Sequence, residues 1–197
     1  MTLPSSPLAG SASGFREATE VPTGRLGIWW FLASELVIFG GLITSYVLLR
    51  WRHPEGGVDA GHTINAAGAF NTLVLLTSSL TVVLAHEAVG RGDLPRAARN
   101  LGFTLVGGVL FLCVKAFEYT HEIREGFTPW KSLFWSYYYG MTGLHALHVI
   151  GGMIAMSIVA LAVRRGRHPQ RVEYVGLYWH FVDVVWIFLF PLLYLAS

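Results

Sequence analysis

Five long apolar runs alternate with short polar breaks along this chain. The runs cover roughly residues 28–50, 66–87, 101–120, 136–163 and 174–196. An apolar helix needs about 20 residues to cross the hydrocarbon core of a bilayer, and each run meets or approaches that length. The breaks carry the charges and turn formers: "RWRHPEGGVDAGH" after the first run, "VGRGDLPRAARN" after the second, "EIREGFTPWKS" after the third and "RRGRHPQR" after the fourth. None is large enough for a soluble domain. The pattern predicts an all-α integral membrane bundle of five transmembrane helices over residues 25–197. Residues 1–24 are rich in Pro, Ser, Gly and Ala and have no apolar run; they are expected to form a flexible tail, neither a secretory signal nor a helix.

Composition agrees with the membrane class: 53% of the 197 residues are hydrophobic and only 13% are charged. A net charge of +2 is too small to argue for a nucleic-acid partner. The single cysteine, Cys113, excludes an intrachain disulfide framework and a multi-cysteine metal site. What charge there is reports orientation. Five spans place the amino-terminal tail and the second and fourth breaks on one side, with Arg16, Arg25, Arg91, Arg96, Arg99, Arg164, Arg165, Arg167 and Arg171. The opposite side takes Arg50, Arg52, Lys115, Arg124 and Lys131. Nine against five puts the amino terminus in the cytoplasm. Arg25, Arg164, Arg165, Arg167 and Arg171 would then face anionic lipid headgroups. Small residues at Gly41 and Ser45, at Gly140 and Gly143 beside Leu144, and at Gly151 and Ala155 are expected where helices approach closely.

Polar residues inside the spans change the picture most. A charged side chain at mid-membrane costs roughly 2.5–3.5 kcal/mol on insertion scales, so such residues face a partner or a cavity. Glu35 lies in the first span, His86 and Glu87 end the second, and Glu118 sits late in the third. His145 and His148 share the fourth, and His180 and Asp183 the fifth. Counting about 1.5 Å per residue places Glu35, His180 and Asp183 at similar depth on the amino-terminal side. Glu35 is therefore expected as a neutral acid hydrogen-bonded near His180 and Asp183. Glu118 falls on the opposite side, followed at helical spacings by His121 and Glu122.

Three functions suit such residues. His145 and His148, three apart on one helix, could ligate a metal or haem, yet no "HExxH" motif occurs, and "EYTH" from Glu118 stands alone. Buried Glu, Asp and His also suit a proton transporter, although five spans do not divide into inverted repeats. The third reading is a non-catalytic subunit whose polar groups are satisfied by one another, by lipid and by a partner protein.

The stretch "YWHFVDVVWIFLFPLLYL", Tyr178 to Leu195, resembles the last helix of cytochrome c oxidase subunit III. "WWFLASELVIFGG", "NTLVLLTSSLTVVLAHEAV", "FEYTH" and "TGLHALHVIGG" match the same family in order, covering nearly everything from Arg25 onward. The likeness is to the shorter bacterial form of this haem-copper oxidase subunit, in cytochrome c and quinol oxidases alike, and to an accessory protein of nitric oxide reductase. The longer form has two further helices, ahead of those matched here, that border a phospholipid cleft. The resemblance implies that Glu35 is the family's carbodiimide-reactive carboxyl, and that Glu118, His145, His148, His180, Asp183 and Trp186 occupy family positions. His86 matches the first His of a common "AHH", from which Glu87 departs, and Phe117 stands where Ser is frequent. It also implies a subunit of the bacterial cytoplasmic membrane with no catalytic, cofactor or metal residues of its own. Haem and copper would reside in partner subunits I and II. This chain would touch subunit I directly, support proton uptake and stability there, and bind phospholipid.

Overall fold

The structure, a computed structural model, describes residues 23–52 and 63–195. Residues 1–22 of the expected tail, Arg16 among them, and most of the first break lie outside these, while the last two residues of that tail, Thr23 and Gly24, are helical and not part of a tail. Five long helices follow in order: α1 (Thr23–Arg52), α2 (Asn65–Gly90), α3 (Leu94–Arg124), α4 (Leu133–Arg164) and α5 (Arg171–Phe190), the last continued by a π-helical turn, Pro191–Leu195. All five are long and apolar enough to cross a membrane, and the described residues include no strand. Each exceeds its apolar run at one or both ends, because capping residues and charged flanks continue the helix into the interface.

Glycines end α2, α3 and α4 in the same way. Gly126, at φ 84°, follows α3, with the Gly126 amide bonding to the Ile123 carbonyl and the Phe127 amide reaching back to Glu122. This paired closure of the last carbonyls requires a left-handed residue, which glycine adopts without a Cβ penalty. Gly92 and Gly166 repeat it after α2 and α4. Asp93 starts α3 by accepting from the Arg96 amide at 3.0 Å, with Pro95 in the first turn.

Helices α2, α3, α4 and α5 pack as a closed ring, each touching its two neighbours, while α1 lies outside against α5 and more sparsely against α4. Buried positions show why. On α3 they fall at Ala97, Leu101, Thr104, Gly108, Phe111, Lys115, Glu118 and Glu122, alternating steps of four and three. On α4, Trp135, Tyr138, Thr142, His145, Val149, Gly152, Met156, Val159 and Val163 alternate likewise. A mean step of 3.5 keeps one seam facing the neighbours and favours left-handed packing at shallow angles. On α1 the stripe is thin, Leu32, Glu35, Phe39 and Tyr46, and the rest of the helix presents Trp29, Trp30, Leu36, Val37 and Trp51 outward.

Close approach occurs elsewhere than at the expected glycines, although Ser45 does meet Tyr137 of α4 at 2.6 Å. A Cβ on Gly41 or Gly140 would meet nothing within 4 Å, and on Gly143 or Gly151 only a tyrosine hydroxyl at ordinary contact. The tight positions are Gly107, where a Cβ would come 2.8 Å from the Ser78 Cβ, Gly68, which receives Phe190 and Tyr194, and Gly108 and Gly152, which receive Met153, Trp179 and Tyr178. Spacing identifies small residues on one helix; which face meets a neighbour depends on the rotation of the whole bundle.

Candidate functional site

The polar residues of the spans separate into a clustered end, a peripheral pair and isolated groups. The cluster forms where α3 approaches its carboxyl end. Lys115, Glu118 and Glu122 continue the buried stripe, so they point into the ring instead of toward lipid. Lys115 Nζ lies 2.9 Å from Glu118 Oε2, 3.0 Å from the Tyr138 hydroxyl and 2.8 Å from the Tyr194 hydroxyl. Tyr138, from the second turn of α4, also lies 2.9 Å from Glu118 Oε1 and 3.0 Å from Glu122 Oε1. Three segments are tied together. The π-helical turn matters here because it brings Tyr194 to Lys115 after Pro191 has removed a backbone donor. Glu118 lies toward the opposite end of the bundle from Glu35. His121 turns away from the group and pairs with Glu125 at 3.5 Å.

Lys115 corrects the charge comparison made from sequence. Counted with the loops of the opposite side, it is 3% exposed and forms an ion pair inside the ring. The stripe Gly108, Phe111, Lys115, Glu118, Glu122 is the sequence signal that turns Lys115 and Glu122 inward.

The peripheral pair corrects a second expectation. Glu35 Oε2 bonds to His148 Nε2 at 2.9 Å, across the α1–α4 contact, not to His180 or Asp183. Equal depth does not imply a shared direction. The other His148 nitrogen lies 2.8 Å from the Leu144 carbonyl, and Phe39 packs edge-on to the ring at 5.1 Å. A second tie, Ser45 to Tyr137 at 2.6 Å, joins the same two helices. His180 bonds instead to Ser79 of α2 at 2.5 Å.

His145 and His148 do not converge. Three residues advance a helix by about 300°, leaving their directions about 60° apart. His145 enters the ring between Phe111 and Trp186, with centroids at 5.5 and 5.2 Å, and neither nitrogen has a hydrogen-bond partner among the described residues. Asp183 is likewise buried on α5, where it faces Ser79 of α2. His86 is exposed and borders a shallow groove with His180 and Glu173. Among the described residues no three His, Cys, Asp or Glu side chains come together as metal ligands. Arg25 pairs with Glu173 at 2.8 Å, joining the starts of α1 and α5, while Arg164, Arg165, Arg167 and Arg171 are exposed at the neighbouring helix ends.

Chemically, the cluster can hold and share protons within a sealed end, and the pair can fasten a peripheral helix. An apolar outer surface over a hydrogen-bonded polar interior defines a multi-pass helical membrane protein. The chain belongs to the cytochrome c oxidase subunit III family, whose model matches residues 10–197. It is similar to cytochrome c oxidase subunit 3 of Thermostichus vulcanus, 34% identical over 194 residues and 95% of each chain. Quinol oxidase subunit 3 of Bacillus spizizenii is 36% identical over 184 residues, 89% of each chain. Cytochrome bo(3) ubiquinol oxidase subunit 3 of Pseudomonas putida is 34% identical, covering 87% of this chain and 85% of its own.

Proposed function

We propose that this chain is a non-catalytic subunit of a haem-copper terminal oxidase in a bacterial cytoplasmic membrane, packed against subunit I, with the haem and copper held by subunits I and II. Its work is to sustain proton uptake and the stability of subunit I during turnover. The observation that carries this reading is how the chain uses its intramembrane charges. Lys115, Glu118 and Glu35 are bonded between elements of the chain itself, and the outward faces of the helices are apolar. Such an arrangement builds a stable body that meets a partner and lipid through shape and apolar contact.

The amino terminus is assigned to the cytoplasm. Moving Lys115 out of the loop count leaves nine basic residues against four, which strengthens the bias. Arg164, Arg165, Arg167 and Arg171 then sit at the cytoplasmic surface within reach of anionic headgroups, and Arg25 reaches the same level through Glu173. Glu35, His148, His180 and Asp183 support the inner half of the bundle, His145 its middle and Glu118 its outer end; His86 stands at the inner rim.

Deletion of the chain from its parent strain tests the proposal. The purified oxidase should retain its haem spectrum and initial turnover but inactivate after fewer cycles, and restoring the chain should restore the lifetime. An unchanged lifetime would overturn the supporting role. A haem spectrum from the isolated chain, or proton flux in vesicles containing it alone, would replace it with a cytochrome or a transporter.

A further inference from the structure

The end of the ring where α3 leads into α4 holds one more carboxylate than its single cation balances. All three Lys115 N–H groups are engaged, to Glu118, Tyr138 and Tyr194 at 2.9, 3.0 and 2.8 Å, which is the complement of an ammonium. Two carboxyls face it, Glu118 at 0% and Glu122 at 1% exposure. Lys131 lies over the Phe127 ring and is exposed, and the groups packed inside the ring of helices bring no second cation. Tyr119 of α3 is engaged with Thr142, and Tyr139 of α4, which also faces Glu122, donates its one proton to the Phe127 carbonyl. Trp186 of α5 and Gly68 of α2 are uncharged neighbours, His145 lies deeper among aromatic rings, and His121 with Glu125 faces outward. On α1, Tyr46 packs against Phe134 with ring centroids 6.4 Å apart, and Arg50 stands beside Tyr46, one turn further along the helix.

Hydrogen-bond arithmetic locates the missing charge. The Tyr138 hydroxyl has one proton and two lone pairs. One lone pair receives Lys115; the Tyr194 hydroxyl, 3.1 Å away, gives its own proton to Glu118 and so leaves the second lone pair open; and the Tyr138 proton can satisfy only one of the two carboxyl oxygens that approach it, Glu118 Oε1 at 2.9 Å and Glu122 Oε1 at 3.0 Å. Glu118 has donors at both oxygens, as an ionised carboxylate requires. Glu122 does not: its Oε2 is buried with no partner among the described residues. An ionised Glu122 would leave charge on an unpaired acceptor in a sealed site, whereas the carbonyl oxygen of a neutral acid tolerates that position at smaller cost.

We propose that this end of the chain is a proton-binding site in which Glu122 carries one proton and donates it to Tyr138, which in turn donates to ionised Glu118. The charges then close as Lys115 positive, Glu118 negative and Glu122 neutral. The site is covered by the α3–α4 connection: Phe127 stacks on Trp135 at 4.8 Å, Trp135 meets Tyr138 at 5.3 Å, and the Lys131 ammonium sits 3.7 Å over the Phe127 ring. Loss of the proton would leave a net negative charge under this aromatic cover, so the site holds its proton while the cover is closed.

Infrared difference spectra of the assembled membrane complex, wild type minus variant, test this at neutral pH. Glu122→Gln should remove the carbonyl band of one protonated carboxylic acid per chain and leave the ionised-carboxylate bands unchanged. Glu118→Gln should remove an ionised-carboxylate band instead. Because glutamine has the shape of a neutral acid, Glu122→Gln should assemble at wild-type yield. Loss of a carboxylate band in Glu122→Gln, or its failure to assemble, would overturn the proposal.

Discussion

The two polar sites that hold this protein together differ in how many elements share them. At the α3–α4 end, one ammonium, two carboxyls and two tyrosines from α3, α4 and the terminal π-helical turn are bonded at 2.8–3.1 Å. At the α1–α4 contact, Glu35 and His148 share one bond, with side chains 11% and 16% exposed. The first site lies inside a closed ring; the second fastens a helix to its outside. Loss of one partner in the cluster leaves a buried charge uncompensated in the ring, where water cannot reach it. Loss of one partner in the pair loosens a helix that already presents most of its surface outward.

Removing the cation should break the comparison most severely. Lys115→Met leaves Glu118 and Glu122 facing each other in the ring, and truncating one partner of a buried pair costs about 3–5 kcal/mol. Thermal unfolding of the purified complex should show this chain lost at a much lower temperature, and a wild-type transition would contradict the packing described. Gly107→Ala comes next. Its Cβ would stand 2.8 Å from the Ser78 Cβ, which the α2 backbone holds in place, so strain of about 1–3 kcal/mol is expected within the ring. Gly41→Ala, on α1, is its control and should assemble as wild type, since nothing lies within 4 Å.

The most local effect belongs to the pair. Glu35→Ala and His148→Ala should each cost about 1–3 kcal/mol, and the double variant less than their sum, because each single change strands a polar partner. Hydrogen exchange should rise along α1 and stay unchanged along α3 and the start of α4. Exchange that rose equally in both regions would show that α1 is not peripheral. Carbodiimide labelling of Glu35 should be changed by His148→Ala and not by His180→Ala, which separates the observed partner from the one expected by depth.

Legibility in the sequence followed the same division. The helices were readable because an apolar run of membrane length has one low-energy solution in lipid, with every backbone donor and acceptor bonded within the segment. The turns were readable too, since glycine and proline at the breaks dictate local backbone geometry. Glu35, Glu118 and His148 stood out as polar residues in apolar runs. Lys115 did not, because a long cationic side chain near a span end is equally compatible with the interface. The four–three stripe that carries it inward emerges only when Lys115, Glu118 and Glu122 are placed in line with Leu101, Thr104, Gly108 and Phe111.

By itself, then, the sequence determined a five-helix membrane protein, its family likeness and which side chains could not be left facing lipid. Tertiary structure decided the partners: His148 for Glu35, Ser79 for His180, and Tyr138 and Tyr194 for Lys115. The reason is geometric. Position along a helix sets depth through a constant rise per residue, but the direction of a side chain around the axis acquires a partner only when neighbouring helices have settled their rotation and contact.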